Sequence, residues 1–419
     1  MAIIKPFKGL RPVKDKVHLV ASRSVDTYTY SELNDKLGGN PFTFLHIIKP
    51  KMGLEEKSQA NAQLKKIKLT FNNFVKEGIF ISDAESSLYV YCQEKNGHSY
   101  TGIIGCAAID DYLNGVIKVH EQTLTNKEEK LRDYLEICDF NAEPVCLTYA
   151  SDKNINTVIE NITAEEPIYD FTTTDKARHK LWMVSDKKKI DIISEGFKNI
   201  SSIYIADGHH RSASSALLAK KKREQNPDYS GSESFNYFLA IFFTEDQLKI
   251  YDFNRVVKDL NGLDKEVFLE RVSQRFHVVD KGENIYKAER FHNMSMYLEG
   301  KWYSLELIEE SGERRLEKQE TRNKSKEKLD ADILSEYILG PILNITDLKT
   351  NKRIGFVSGI KGMEELKNMV DSGKMKVAFG LFPVTMQQLK NIADAGGTMP
   401  PKSTWIEPKL RSGLVVYSL

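Results

Sequence analysis

Short apolar runs bounded by turn residues alternate along this chain with longer stretches of helical spacing. Val17-His18-Leu19-Val20 reads as a strand, residues 30–37 as a short helix, and residues 42–48 as a buried strand that ends at Lys49-Pro50. Residues 55–77 predict a long helix, with Leu64, Ile67, Leu69, Phe71 and Phe74 on its apolar side. Residues 88–93 and 100–106 read as the arms of a hairpin around Asn96-Gly97. Residues 145–149, entered after Pro144, and 179–184 are further strands. The run Ile203-Tyr204-Ile205-Ala206 stops at Asp207-Gly208, and small helix-compatible residues then continue to Ala219, which spells strand, tight turn, helix. Residues 235–243 form another apolar run, and residues 249–253 resume the sheet.

Later in the chain, residues 309–328 are almost wholly polar and read as a solvated hairpin or connecting helix. Residues 329–345 predict an amphipathic helix with a stripe of Leu329, Ile333, Leu334, Tyr337 and Ile338, interrupted by Gly340-Pro341. Residues 354–357 and 377–382 are late strands, and residues 386–393 a short helix stopped by Gly396-Gly397. Strands and helices interleave throughout, so the expected class is α/β in the broad sense, α+β with mixed sheets. Three lobes are expected: 1–145, 146–300 with the Asp-Gly turn, and a closing segment 301–419.

Composition narrows the function classes. The 419 residues are 41% hydrophobic and 28% charged with a net charge of +1, so no field suited to nucleic acid or a membrane surface covers the protein as a whole. The cysteines (Cys92, Cys106, Cys138, Cys146) show no C-x-x-C pair and no zinc-ligand spacing, and read as core thiols of a cytoplasmic protein. No apolar run is long enough to span a bilayer, and Met1 to Phe7 lacks the apolar core of a signal peptide. There is no G-x-x-x-x-G-K-[ST] loop and no G-x-G-x-x-G leading into a helix, so the common nucleotide cradles are missing.

Polar chemistry gathers in three places. Asp207-Gly208-His209-His210-Arg211 sits where a helix begins, and a helix N-terminus offers unpaired N–H groups and a positive dipole end to an anion. Asp207 is placed there to act as a base or a magnesium ligand, while His209, His210 and Arg211 add charge-assisted donors. The same residues also suit a plain Asp-Gly turn with Asp as an N-cap. Near a strand end after a turn at residues 110–115, Glu121 suits an acid/base or magnesium role and His120 an anion contact; a polar strand end is the plainer reading. The pattern is not H-E-x-x-H, so no zinc protease is indicated. Third, Pro400-Pro401 stiffens a loop presenting Lys402, Ser403 and Thr404, which suits phosphate or a rigid surface turn. Lys8 to Pro12, Ser22-Arg23-Ser24 and Asn254-Arg255 supply further cations and hydroxyls.

The Asp-Gly-His-His-Arg turn resembles the signature shared by ParB-type nucleotide-binding domains, sulfiredoxin and the free-serine kinases. Lys8-Gly9-Leu10-Arg11-Pro12, Asn40-Pro41 with Phe44-Leu45-His46, Asp111-Tyr112 with His120-Glu121, His179-Lys180-Leu181-Trp182, Asp207 to Arg211, Asn254-Arg255 and Met399 to Pro408 follow in that order. Together they resemble a full-length family long catalogued as a domain of unknown function, some of whose members are pyrophosphate-dependent L-serine kinases. One departure is Ala21 to Tyr28, where many relatives carry a Pro-Tyr-Asp-Val type stretch. The resemblance implies a ParB/sulfiredoxin-like core and a phosphotransferase making O-phospho-L-serine from L-serine and pyrophosphate with Mg2+. It implies catalytic roles for Asp207, Glu121 and His210, with Asp207 and Glu121 as metal ligands. Phosphate would fall to His120, Gly208, His209, Arg211, Lys402, Ser403 and Thr404, and the amino-acid carboxylate to Arg23, Ser24 or Arg255. No nucleic-acid or membrane partner is expected, and a monomer or small homo-oligomer is. A nucleotide-dependent small-molecule kinase, a ParB-like nucleotide-dependent regulatory protein and a sulfiredoxin-like redox enzyme are the alternatives. The last needs a reactive cysteine beside the turn, and none is near it in sequence.

Overall fold

The computed structural model describes residues 1–48, 57–308 and 328–419. The chain is mixed α/β and forms two compact units. Residues 1–248 with 408–419 make the first, and residues 249–407 the second. This differs from the three lobes expected. The position 145/146 falls inside a strand of the first unit, and the last twelve residues return to that unit.

The first unit is built on a nine-stranded sheet. Its strands in chain order are β1 (Ile4–Lys5), β2 (Leu88–Lys95), β3 (His98–Ala108), β4 (Ile117–Lys118), β5 (Val145–Tyr149), β6 (Tyr169–Thr172), β7 (Arg178–Val184), β8 (Ile203–Asp207) and β9 (Tyr237–Thr244). The spatial order is β6-β7-β2-β3-β9-β5-β8-β4, with β1 also paired to β3. β2 and β3 are the expected hairpin: Lys95 pairs with His98, and Asn96 and Gly97 both take positive φ. Two pairs are parallel, β5 with β9 and β4 with β8, while β5 and β8 run antiparallel.

The unit also holds helices α1 (Lys57–Lys76), α2 (Thr125–Cys138), α3 (Lys153–Thr163), α4 (Lys187–Lys198) and α5 (His209–Gln225), the last three with residues in the core of this sheet. Ile155, Val158 and Ile162 of α3 and Ile193 and Phe197 of α4 pack with Leu147, Ile203 and Ile205 in the main core. A second cluster gathers Ile67, Phe71 and Phe74 of α1 with Phe44, Phe80, Phe140 and Val416. Among the described residues, no helix is long and apolar enough to cross a membrane.

Two expected strands are helical. Val17–Val20 is one helical turn: Val17 and Val20 are its buried residues, the i, i+3 spacing of a helix and not the i, i+2 of a strand. Likewise residues 42–48 close into Leu45–Ile48, after the Asn40 carboxamide accepts from the Phe42 N–H. Runs this short fit either period, and packing decides. Residues 110–115, expected as a turn, are the short helix Ile109–Leu113 followed by a turn at Asn114-Gly115. The polar stretch 309–327 lies outside the described residues.

Within the Lys8 to Pro12 segment, Leu10–Pro12 is a short strand, and its Arg11 is already engaged. Arg11 pairs with Asp83 at 2.7 Å and donates to Tyr169 Oη at 2.9 Å; Tyr89 Oη donates to the same carboxylate at 2.6 Å and accepts from the Gly9 N–H at 3.1 Å.

In the second unit, β10 (Phe253–Val257), β11 (Phe276–Gly282), β12 (Asn293–Leu298), β13 (Lys301–Leu307), β14 (Ile354–Ser358) and β15 (Val377–Gly380) form an antiparallel sheet in the order β11-β13-β12-β15-β10-β14. Residues 249–253 therefore do not resume the first sheet: Lys249–Tyr251 pairs with Trp405–Glu407, and Phe253 starts β10. Strand alternation sorts Val257, Met296 and Phe379 into one core and Val256, Tyr297 and Ala378 into another, so both faces are covered. The amphipathic run 329–345 begins as helix Asp330–Leu334 and widens into a π-helix over Ser335–Leu339, just before Gly340-Pro341.

A Cβ on Gly9 would lie 2.2 Å from Tyr89 Oη and 2.9 Å from Val415 Cγ1. Tyr89 is fully buried and held at both ends of its hydroxyl, so it has nowhere to move. Gly9→Ala should therefore destabilise the protein by about 1–3 kcal/mol through overpacking, read as a lower urea midpoint. An unchanged midpoint would contradict this packing.

Candidate active site

The parallel pairing of β4 with β8 brings two strand ends to the same sheet edge. Glu121 and His120 follow one, and Asp207 ends the other. The register between β8 and β5 shifts at Ile205–Asp207. Strict alternation would turn Asp207 the same way as Ile203 and Ile205, into the core; the bulge breaks the alternation, and 51% of the Asp207 side chain is exposed. Gly208 follows with φ +109°, a left-handed conformation, and a Cβ there would lie 3.1 Å from the Arg211 guanidinium. Glycine is thus favoured by the backbone, and any side chain there would crowd the Arg211 guanidinium. Helix α5 begins at His209 with no side-chain cap, and the Arg211 N–H turns back to the Gly208 carbonyl at 2.9 Å. Asp207 is not the N-cap that its sequence position allowed.

Arg211 Nη1 donates to the Pro144 carbonyl at 2.9 Å, and Nη2 lies 3.9 Å from Asp207 Oδ2. Lys409 Nζ approaches the same oxygen at 3.4 Å. Burial of the carboxyl among its neighbours pushes it up, but Lys409 and Arg211 outweigh that and hold Asp207 below the ordinary carboxylate value. It is ionised at neutral pH.

His209 is buried, and its ring lies edge-on to His120 at 4.4 Å. Its Nε2 accepts from the His120 backbone N–H at 3.4 Å, which assigns the proton to Nδ1, 3.5 Å from Glu121 Oε2. Burial pulls His209 down to about 4, and burial with the neighbouring His209 pulls His120 well below its usual value. Both imidazoles are neutral at pH 7. His120 Nδ1 is buried with no hydrogen-bond partner among the described residues. His210, the next residue on α5, is partly buried.

The remaining expected residues fall in two places. Arg23 lies over the Tyr28 ring at 4.2 Å and reaches Glu32 at 3.6 Å; Ser24 starts the turn Val25–Thr27. Arg23 also pairs through its backbone with Arg411. In the second unit, Arg255 is fully buried and donates to the carbonyls of Phe253, Lys402 and Pro401 at 2.7, 2.9 and 3.2 Å. Its guanidinium lies on the Phe356 ring at 4.6 Å, and burial pulls it down to about 9. It pins the loop that carries Lys402, which is exposed with φ +58°, and Ser403, which donates to the Pro400 carbonyl at 2.7 Å. Thr404 is half-buried on the same loop.

Two neighbours of Asp207 had no local signal in the sequence. Lys409 is 202 residues away along the chain. Cys146 faces Asp207 across the β5–β8 ladder. A cysteine therefore does adjoin the turn, although none is near it in sequence. Its thiol is fully buried and pushed up to about 12 by burial and by Asp207. Such a thiol supplies almost no thiolate at neutral pH, which speaks against a sulfiredoxin-like role.

Residues 4–332 match the model of the family described as "Protein of unknown function (DUF1015)". The chain belongs to this family. A free serine kinase in complex with AMP is 15% identical with a TM-score of 0.33, over 74% of this chain and 88% of that one. SbnI with a C-terminal truncation, from Staphylococcus aureus, is 12% identical with a TM-score of 0.37, over 73% of this chain and 82% of that one. A conserved hypothetical protein from Pyrococcus furiosus is 14% identical with a TM-score of 0.32, over 74% and 91%. Likenesses at these scores carry no argument about this chain. No curated protein matches it.

The neutral histidines set a pH dependence. A buried histidine with a lowered pKa leaves the folded state unprotonated while the unfolded chain takes up a proton, so stability falls as pH drops from about 6.5 toward about 4 for His209. The slope for one such group is roughly 1.4 kcal/mol per pH unit. In an NMR titration the His209 ring should stay neutral from pH 7.5 to pH 5. A ring that titrates near 6.5 would refute the assignment.

Proposed function

We propose that the protein is a phosphotransferase that moves a phosphoryl group from pyrophosphate to the hydroxyl of free L-serine, giving O-phospho-L-serine and phosphate. The observation that carries this reading is the convergence, at one uncapped helix N-terminus, of an ionised Asp207 with Arg211 and Lys409. Phosphoryl transfer depends mainly on positioning and charge neutralisation, and these groups supply both. The ordered motifs of the sequence support serine as acceptor and pyrophosphate as donor.

Asp207 or Glu121 accepts the proton of the serine hydroxyl as the new P–O bond forms and the bridging P–O bond breaks. The first N–H groups of α5 and Arg211 hold the donor phosphates. Neutral His209 orients Glu121 through its Nδ1–H. His120 Nδ1, a buried polar atom with no partner among the described residues, suits a bound group at this edge. Arg23 and Ser24 are our choice for the amino-acid carboxylate, because Arg23 pairs with Arg411, two residues beyond Lys409. Arg255 is already committed to backbone carbonyls.

Magnesium fits the donor chemistry of the site. Among the described residues no group of three or more His, Cys, Asp or Glu side chains forms a cage, but Mg2+ is commonly held by one or two carboxylates together with substrate phosphates. Asp207 and Glu121 would hold it, and it would neutralise charge on the diphosphate.

The test offers L-serine and magnesium with pyrophosphate, ATP or ADP in separate reactions and measures O-phosphoserine. Product with pyrophosphate alone is expected; product only with a nucleotide overturns the donor, and none with any donor overturns the reading. Asp207→Asn should keep the fold and lower kcat by about 10²–10⁴. Near-normal turnover would remove Asp207 from the mechanism.

A further inference from the structure

A buried cation is normally matched by an acid, because an unmatched charge in the core is costly. Arg255 of β10 is fully buried, and its described contacts are three backbone carbonyls and the Phe356 ring. Its Nε has no hydrogen-bond partner among the described residues. The acids nearest in sequence to Arg255 and to the loop it holds are engaged elsewhere. Asp252 accepts from Asn254 Nδ2 at 2.6 Å and lies 3.9 Å from Lys287 Nζ; Glu407 accepts from Trp405 Nε1 at 2.7 Å. Burial pulls the guanidinium down to about 9, so it still carries its charge at neutral pH.

That charge shapes the loop. The carbonyls of Pro401 and Lys402 both turn toward the guanidinium. In a trans peptide the N–H points opposite to the carbonyl, so the N–H groups of Lys402 and Ser403 point away from Arg255. Neither has a hydrogen-bond partner among the described residues. Successive N–H groups beside a left-handed residue form a concavity that suits an anion, and Lys402 takes φ +58°. A lysine is disfavoured in that conformation, where glycine or asparagine fits more readily. Its side chain adds the charge that those two lack. Lys402 is exposed, and its ammonium lies 5.5 Å from the Phe253 ring centroid with no ion pair among the described residues. Thr404 brings a hydroxyl with no partner among the described residues, whereas the Ser403 hydroxyl already donates to the Pro400 carbonyl.

We propose that the turn from Pro400 to Thr404 is a phosphate-binding site of the second unit, in which the Lys402 ammonium and the N–H groups of Lys402 and Ser403 hold the phosphate. Arg255 is the positioning residue: it orients both peptides and does not touch the ligand. An ammonium, two N–H groups and a hydroxyl suit the several oxygens and the higher charge of a phosphate better than a carboxylate. The phosphate is the free ion or a monoester, and the turn recognises the group common to both. The site belongs to the second unit and does not depend on the phosphotransferase reading of the first.

The test follows the backbone amides of Lys402 and Ser403 by NMR in the full chain, at constant ionic strength. The titrants are inorganic phosphate, O-phospho-L-serine and, as a planar anion, acetate. Both amides should move downfield and saturate with phosphate or its monoester. Lys402→Met should weaken that binding about ten- to a hundredfold, the loss of one charge-assisted contact. Lys402→Gly takes the left-handed backbone without strain, so it guards against misfolding, and should weaken binding as much. Arg211→Gln, in the first unit, should leave these shifts as they are, which separates this site from the one at α5. Amides that neither phosphate nor O-phospho-L-serine moves overturn the site. So does acetate that binds as tightly as phosphate, and so do shifts that vanish in Arg211→Gln. Unchanged affinity in both Lys402 variants overturns the ammonium contact. Tighter binding of O-phospho-L-serine supports the site and assigns it to a monoester; tighter binding of phosphate supports it and assigns it to the free ion. Formation of O-phosphoserine is measured separately, so a failure here leaves the phosphotransferase reading standing.

Discussion

Two residue pairs, Ile203 with Ile117 and Tyr204 with Lys118, decide the chemistry of the first unit. Because this short ladder is parallel, both strands leave the sheet at the same edge, and His120-Glu121 meets Asp207 to Arg211 there. Had β4 run antiparallel to β8, Glu121 would leave at the opposite end. The antiparallel β5 adds a third element, since its entry residue Pro144 offers a carbonyl to Arg211. Ligands in open α/β sheets lie outside the carboxyl ends of strands for this same geometric reason. The bulge before Asp207 and the left-handed Gly208 then turn the carboxylate out of the core and start the helix at once.

Burial assigns the protonation states around that edge. Asp207 stays charged because two cations compensate it. His209 and His120 stay neutral because the core disfavours their charged forms. Cys146, the ladder partner of Asp207, is silenced by burial. A half-exposed, ionised carboxylate and a buried, protonated thiol thus face each other across one strand pair.

Buried charge also organises the periphery. Arg411 with Asp175 and His179 ties the C-terminal residues into the first unit; Arg255 ties the Pro400-Pro401 loop to β10 in the second. Burying ions contributes little net stability, but breaking such a pair is costly because a charge is left unmatched. Arg411 is matched by Asp175, whereas Arg255 is held by backbone carbonyls and the Phe356 ring alone. Arg255 illustrates a recurrent ambiguity, since an arginine after a strand serves a ligand or a backbone equally well until its partners are known.

Local chemistry was enough for several elements. Asn96-Gly97 between alternating strands specified its hairpin, and the run from Ile203 into the small residues of α5 specified strand, turn and helix, because both signals lie within a few residues. The cluster Asp207 to Arg211 and the pair His120-Glu121 were each visible for the same reason. Their meeting was not, because it depends on strand order. Val17–Val20 and Leu45–Ile48 escaped because a run of four residues, three of them apolar, fits a helical turn and a strand alike, and only the Phe44–Phe71–Phe80 core chooses. The meeting of Lys409 and Cys146 with Asp207 was out of reach altogether. The sequence by itself determined which residue types stand at each turn and which runs are apolar. Tertiary structure decided which turns share an edge, since contacts across 202 residues are made by packing and leave no periodic trace in the chain.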